Sequence, residues 1–404
     1  MTSDTSPAPS VAAEEADQFN LSQVTTLSGG HLVHDAFSAF LNPLLPLIVE
    51  KLQLSLALAG SLTLFMRLPS LLNPFIGLWA DRIDLRLLVI LAPTVTAVTM
   101  SLIGLAPNYG VLALLLLASG LSSAALHVPG PVIVSRVAGR RVGAGMSIWM
   151  VGGELARMVG PLFAVAVVSW LTLEGYYPVM ILGMATSAVL YWRLRHVELH
   201  APSGRRPTPL GEAWFTMRRL LVPLGLILLL RTFVRLSLGP FLPLLVTTGG
   251  ESIWVGGTAL AVVELAGALG ALTSGTVSDR VDRRWVLFVA LLCSPLFMLA
   301  FLAVRPMGGA LPYLMLALTG FTTLSTTPVF LALVQEHGRR HPATANGLYM
   351  ATSFVIDAFG APLFGWIGDL IGLGTAYMWG ALIALLAVPL AFLLPRLVDS
   401  ERVG

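Results

Sequence analysis

Gly77-Leu78-Trp79-Ala80-Asp81-Arg82-Ile83-Asp84-Leu85-Arg86 closes one long apolar stretch and opens the next. The pattern returns as Gly275-Thr276-Val277-Ser278-Asp279-Arg280-Val281-Asp282-Arg283-Arg284, with Asp279 standing 198 residues after Asp81. A repeat at about half of a 404-residue chain makes the protein two copies of one unit. Both copies of G-x-x-x-D-R-x-D sit where apolar runs stop, so they belong to short turns at a membrane surface.

Composition agrees. The chain is 56% hydrophobic and 11% charged, whereas a soluble domain carries about 25% charged residues. Apolar runs of about 20 residues, each long enough to span a bilayer, recur along almost its whole length. The single cysteine, Cys293, excludes an internal disulfide and a Cys-rich metal site.

Residues 1–26 are acidic (Asp4, Glu14, Glu15, Asp17) and lack Lys and Arg. They have neither the basic start nor the apolar run of a signal peptide and read as a disordered cytoplasmic leader. Twelve spans are predicted: 27–49, 57–80, 86–105, 109–135, 143–168, 175–194, 219–247, 253–277, 285–304, 311–334, 343–368 and 372–395. They group as six-span units over 27–194 and 219–396, with a cytoplasmic tail over 397–404. The joining segment, 195–218, contains Pro202, Gly204 and Pro207 and has a linker composition. Its end, from Leu210 on, predicts a short amphipathic helix lying on the membrane.

Assigning alternate loops to two sides places eighteen arginines on one side and only Lys51 and Arg305 on the other. Basic residues concentrate on the cytoplasmic side, so both termini are expected there. The arginines flank spans and form no single basic face, which argues against nucleic-acid binding despite the net charge of +3.

The repeat runs beyond the turns. At an offset of 200, Pro43-Leu44-Leu45 aligns with Pro243-Leu244-Leu245, Gly120 with Gly320, and Arg136 with Glu336. Pro161-Leu162-Phe163 has its counterpart in Pro362-Leu363-Phe364. Two six-helix halves, a long middle loop and the repeated turn motif resemble the major facilitator superfamily over residues 27–396. The first turn departs from the pattern at Asp84 and Leu85, where glycine and a basic residue are common. Gly30-His31-Leu32-Val33-His34-Asp35, Ala125-Leu126-His127-Val128-Pro129 and the Gly152-Gly153…Gly160-Pro161 stretch look like its fosmidomycin-resistance-like branch. Ser147, Ala156, Gly160, Pro161 and Ala164 also fit a degraded antiporter motif of drug exporters. The resemblance implies an all-α membrane protein with twelve transmembrane helices in two pseudo-symmetric six-helix bundles. It also implies a monomer in a bacterial-type inner membrane, with spans 1, 4, 7 and 10 lining a cavity.

A charge at a helix centre costs about 2.5–3.5 kcal/mol on insertion scales. Four arginines (Arg67, Arg157, Arg231, Arg235) and four carboxylates (Asp35, Glu154, Glu264, Asp357) nevertheless lie inside spans. Equal numbers suggest pairing. Depth along the helices, with the resembled arrangement of spans 2 against 11 and 5 against 8, predicts Arg67–Asp357 and Arg157–Glu264 across the moving interface, with Glu154 nearby. The alternative is that these charges only fix helix packing.

His31 and Asp35 stand i,i+4 on one helix face. His127 lies at a similar depth. Asp35 is predicted as the proton site with His31 or His127 as partner, since histidine titrates near neutrality. Arg231 and Arg235, the repeat counterparts of His31 and Asp35, are predicted to bind an anionic substrate group, with His34 and Asp35 on the opposite wall. Three alternatives stand beside this: a permanent Asp35–Arg235 salt bridge, His34 as a packing residue, and a metal site of His31, His34, Asp35 and His127. In the turns, Asp81 and Asp279 are predicted to act as clasps with Gly77, Arg82, Gly275 and Arg280; topology marking alone is the alternative.

No G-x-x-x-x-G-K-[ST] motif occurs, and no loop is long enough for an ATPase domain. The sequence therefore predicts no enzyme and no cofactor. It predicts a secondary transporter working by alternating access, with proton-coupled export of a small amphipathic or anionic compound ahead of proton-coupled uptake of an organic anion.

Overall fold

The computed structural model describes residues 19–73, 76, 85–139, 141–195, 210–337 and 342–395. The first part holds α1 (Leu21–Ser38), α2 (Leu41–Leu52), α3 (Leu56–Arg67), α4 (Arg86–Leu102), α5 (Tyr109–His127), α6 (Pro129–Val137), α7 (Val142–Gly175) and α8 (Met180–Leu194). The second holds α9 (Leu210–Leu236), α10 (Leu242–Thr248), α11 (Ile253–Ser278), α12 (Arg283–Val304), α13 (Leu311–His337), α14 (Pro342–Ile371) and α15 (Leu373–Leu385). Ten helical stretches are long and apolar enough to cross a membrane, and the chain is a multi-pass membrane protein.

Ten, rather than twelve, reach that length among the described residues. The expected second span is represented by the shorter Leu56–Leu72, and its continuation falls outside the described residues. The sixth is the 15-residue α8, shortened because a 3-10 turn over Tyr177–Val179, with Pro178 inside it, occupies its start.

Two expected boundaries also move. Helix α1 begins at Leu21, not at 27, because the Asn20 side chain accepts the Gln23 N–H at 3.0 Å and caps the helix. The Asn20 N–H in turn donates to the Val137 carbonyl at 2.9 Å. The expected surface helix is instead the start of α9, one continuous helix from Leu210 to Leu236. Met217, Leu220 and Leu221 are buried against residues such as Leu333 and Val334 of α13, so this stretch packs on protein.

Packing pairs recur between the two parts. Helix α1 packs on α7, α4 on α8 and α3 on α5; in the second part α9 packs on α14, α12 on α15 and α11 on α13. The matched prolines produce matched interruptions. Pro43 and Pro243 lack the N–H that would bond the carbonyl four residues back. The first path breaks at Ala39–Phe40 between α1 and α2, and the second passes through a π-helical turn, Ser237–Phe241, between α9 and α10.

The two parts meet most closely at the end of the molecule that carries Lys51. Here α3 packs on α14 and α2 on α10, while α7 packs on α11 farther along. A Cβ on Gly365 would lie 2.1 Å from the Leu56 carbonyl oxygen, and one on Gly60 would lie 2.4 Å from that of Ala361. Only a residue without a side chain permits such contact. The Asp369 carboxylate accepts the N–H groups of Leu56 and Ala57 at 2.8 and 2.9 Å, capping α3 from the opposite part. Gly365→Val is expected to force α3 and α14 apart and cost about 1–3 kcal/mol, read as a lower melting midpoint in detergent. An unchanged midpoint would show that the contact is dispensable.

Candidate functional site

One cluster forms around Asp35. Helix α1 turns His31 and Asp35 to one side, and α5 brings His127 to meet them. Asp35 Oδ2 lies 3.1 Å from His31 Nε2, and Asp35 Oδ1 lies 2.8 Å from His34 Nδ1 and 3.4 Å from His127 Nε2. The two Nε2 atoms of His31 and His127 are 3.2 Å apart. Backbone carbonyls fix the far sides of these rings: His31 Nδ1 is 3.0 Å from the Trp149 oxygen and His127 Nδ1 is 2.9 Å from that of Ser123. Trp149 also stacks on His31 at 4.0 Å. Gly153 of α7 leaves room for this ring, since a Cβ there would lie 2.7 Å from His31 Cε1.

The sequence alternative of an Asp35–Arg235 bridge is not what forms. Arg235 Nη1 lies 2.7 Å from Asp357 Oδ2 instead. Asp357 is buried on α14, and its other oxygen accepts the Thr232 hydroxyl at 3.1 Å. Arg67 approaches the same carboxylate at 3.7 Å. On the other side Arg157 Nε lies 3.6 Å from Glu264 Oε2, while its guanidinium also pairs with Glu154 one turn earlier. The structure thus brings together both cross-part pairs predicted from depth, each inside a larger group. The side chains of Arg157, His127 and Arg67 are 49%, 40% and 37% exposed, although they sit within apolar helices. They face polar partners on neighbouring helices.

Two predicted substrate ligands lie elsewhere than expected. His34 is fully buried, held by Asp35, and presents no surface to a solute. Arg231 is also buried, because it anchors α9 to α13. It donates to the Thr326 hydroxyl at 2.6 Å and the Thr323 carbonyl at 3.2 Å, and it lies over Phe330. Of the two arginines, Arg235 alone keeps appreciable exposure.

The first turn motif, with Gly77, Asp81 and Arg82, lies outside the described residues. In the second, Gly275 has no neighbour within 4 Å of a built Cβ, and Asp279 and Arg280 are exposed. Asp279 lies 3.5 Å from Arg283, but the shorter contact of Arg283 is to Glu336 of α13 at 2.6 Å. Asp282 caps α12 through the Arg284 N–H and also holds the Arg284 side chain at 2.8 Å. The shortest ion pair at this turn therefore joins Arg283 to Glu336, and Asp279 reaches the same arginine only at 3.5 Å.

Apolar helices long enough to cross a membrane, a packing scheme repeated between two parts and polar groups gathered from several helices are the features of a transporter of the kind the chain's relatives represent. Residues 27–361 match the profile of the Major Facilitator Superfamily, and the chain belongs to that family. It is 24% identical over 387 residues to the fosmidomycin resistance protein of Escherichia coli (strain K12), covering 91% of each chain. It is 26% identical over 381 residues to the uncharacterized MFS-type transporter YfnC of Bacillus subtilis (strain 168), covering 90% of each. Among solved structures, a bacterial homologue of the human lysosomal transporter Spinster, inward-facing and unoccupied, superposes with a TM-score of 0.79 at 16% identity. That match covers 94% of this chain and 98% of the other.

Proposed function

We propose that the protein is a proton-coupled exporter of a small amphipathic or anionic compound in a bacterial-type inner membrane. It works as two six-span bundles that rock about a central cavity, with both termini cytoplasmic. One observation carries this reading: two charge groups of different chemistry stand within apolar helices, one on the first part and one on the second part with Arg67 reaching across to it. Asp35 with His31 and His127 is an acidic, histidine-lined wall. Arg235 and Arg67 around Asp357 carry one net positive charge, the residue of two guanidiniums and one carboxylate. A proton held at Asp35 and an anion held at Arg235 are then bound on opposite walls of one cavity.

The contacts support alternating access. Close backbone packing and the Asp369 cap hold the parts together at the Lys51 end, which supports a conformation open toward the arginine-rich side, the cytoplasm under the positive-inside rule. Arg67–Asp357 and Arg157–Glu264 join the parts and must lengthen when that end opens. Export is favoured over uptake by similarity to a resistance protein. The protein acts as a monomer, without a cofactor, on a dissolved solute and not on nucleic acid.

The test is proton movement in proteoliposomes during addition of phosphonate, carboxylate and cationic compounds. Compound-dependent proton movement opposite to the compound is expected. Movement in the same direction would replace export with uptake symport, and flux that ignores the pH gradient would remove protons from the mechanism.

A further inference from the structure

We infer that His31, Asp35 and His127 form a binding site for a divalent transition-metal ion of the zinc or cobalt kind. The inference shares residues with the proton site above but rests on ligand geometry, not on coupling.

His31 Nε2 stands 3.1 Å from Asp35 Oδ2 and 3.2 Å from His127 Nε2, and His127 Nε2 stands 3.4 Å from the other carboxylate oxygen, Oδ1, so that one donor atom from each of the three residues lies within 4.8 Å of the others. Around a tetrahedral zinc with ligands at about 2.0–2.1 Å, neighbouring donor atoms stand about 3.3 Å apart. The two imidazole nitrogens already stand at such a spacing, and the carboxylate offers each of them an oxygen at that spacing.

Protonation points the same way. A carbonyl oxygen only accepts hydrogen bonds, so His31 Nδ1 (to Trp149) and His127 Nδ1 (to Ser123) carry their protons. In neutral rings both Nε2 atoms then aim lone pairs at each other and at a carboxylate. Three acceptors converge, and a cation between them satisfies all three. Every donor is braced from behind: two imidazoles by carbonyls, and the carboxylate by His34 Nδ1 at 2.8 Å. Such outer hydrogen bonds orient the ligands of metal sites. The stacked Trp149 ring and the missing side chain at Gly153 fix His31 further. His127 is partly exposed, which leaves a fourth position for water or a donor atom of a solute. Two imidazoles and one carboxylate suit zinc, cobalt or nickel rather than magnesium or calcium.

The experiment titrates Co2+ into the purified, tag-free full-length protein in detergent and follows its visible absorption. One equivalent per chain with the bands of four-coordinate Co2+, lost on adding Zn2+, is expected. His31→Gln, Asp35→Asn and His127→Gln should each weaken binding by about 100-fold or more, and His34→Gln by about 10-fold. His337→Gln should leave binding unchanged. Size-exclusion profiles and helical circular dichroism check that each variant is folded. A wild-type melting midpoint raised by Zn2+ and not by Mg2+ supports the site without any variant. The inference fails if wild type takes up no stoichiometric Co2+, or if folded His127→Gln binds as tightly as wild type. Proton movement lost in Asp35→Asn without any Co2+ binding would refute the metal site and keep the coupling. Metal binding without compound-driven proton movement would do the reverse.

Discussion

Asp357→Ala is expected to destabilise the protein by about 3–5 kcal/mol, because breaking a buried ion pair strands its partners. The Asp357 carboxylate serves Arg235 at 2.7 Å, the Thr232 hydroxyl at 3.1 Å and Arg67 at 3.7 Å. Alanine leaves two guanidiniums facing each other without a counter-charge. Thermal unfolding in detergent reads the effect. Asp357→Asn should lose less, since its amide oxygen still accepts hydrogen bonds. Asp357→Ala/Arg235→Ala should recover part of the loss by removing one stranded charge. A double variant no more stable than Asp357→Ala would show that charge pairing is not what Asp357 contributes. Arg67→Ala should cost less stability, because Arg67 is half-exposed and farther away, and should show its effect in transport.

Asp35→Asn is expected to reduce compound-driven proton movement to the level of protein-free liposomes while the protein stays folded. Asparagine keeps the size and an acceptor for His34, but it cannot carry a proton or a negative charge. His127→Gln should impair the same movement less, since His31 remains 3.1 Å from Asp35. Full proton movement in Asp35→Asn would assign Asp35 a packing role and move the coupling site elsewhere.

The membrane class, the repeat and two of the pairings among the intramembrane charges are legible because lipid leaves a charge few options. Apolar run length sets the spans, arginine position sets the sides, and depth along a helix limits who can meet. Arg67–Asp357 and Arg157–Glu264 followed from depth together with the resembled helix arrangement. What depth cannot give is rotation about the helix axis. Arg231 and Arg235 stand four apart on α9, yet one is buried on Thr326 and the other reaches Asp357. His34 was counted among solute ligands for the same reason. Trp149 holds His31 both by its carbonyl, which every residue has, and by its stacked ring, and a tryptophan in an apolar span carries no mark of which neighbour its ring covers. Asp369 carries a readable signal. A carboxylate two residues before the end of α14 is disfavoured by that helix dipole, and it is compensated by the start of α3. Glu336 was aligned with Arg136, but nothing in the alignment pointed to Arg283.

The paired interruptions at Ala39–Phe40 and Ser237–Phe241 divide two helices at equivalent heights. Below them stand His31, Asp35, Arg231 and Arg235; above them stand α2 and α10, which pack on each other at the sealed end. A helix without such joints transmits any tilt along its full length. With them, the upper segments can swing while the lower ones keep their side chains in register. In the proposed mechanism, opening at the Lys51 end then bends two short segments and leaves the rest of each helix in place. If the proposed rocking motion holds, stiffening one joint is expected to slow it without moving the side chains below the joint.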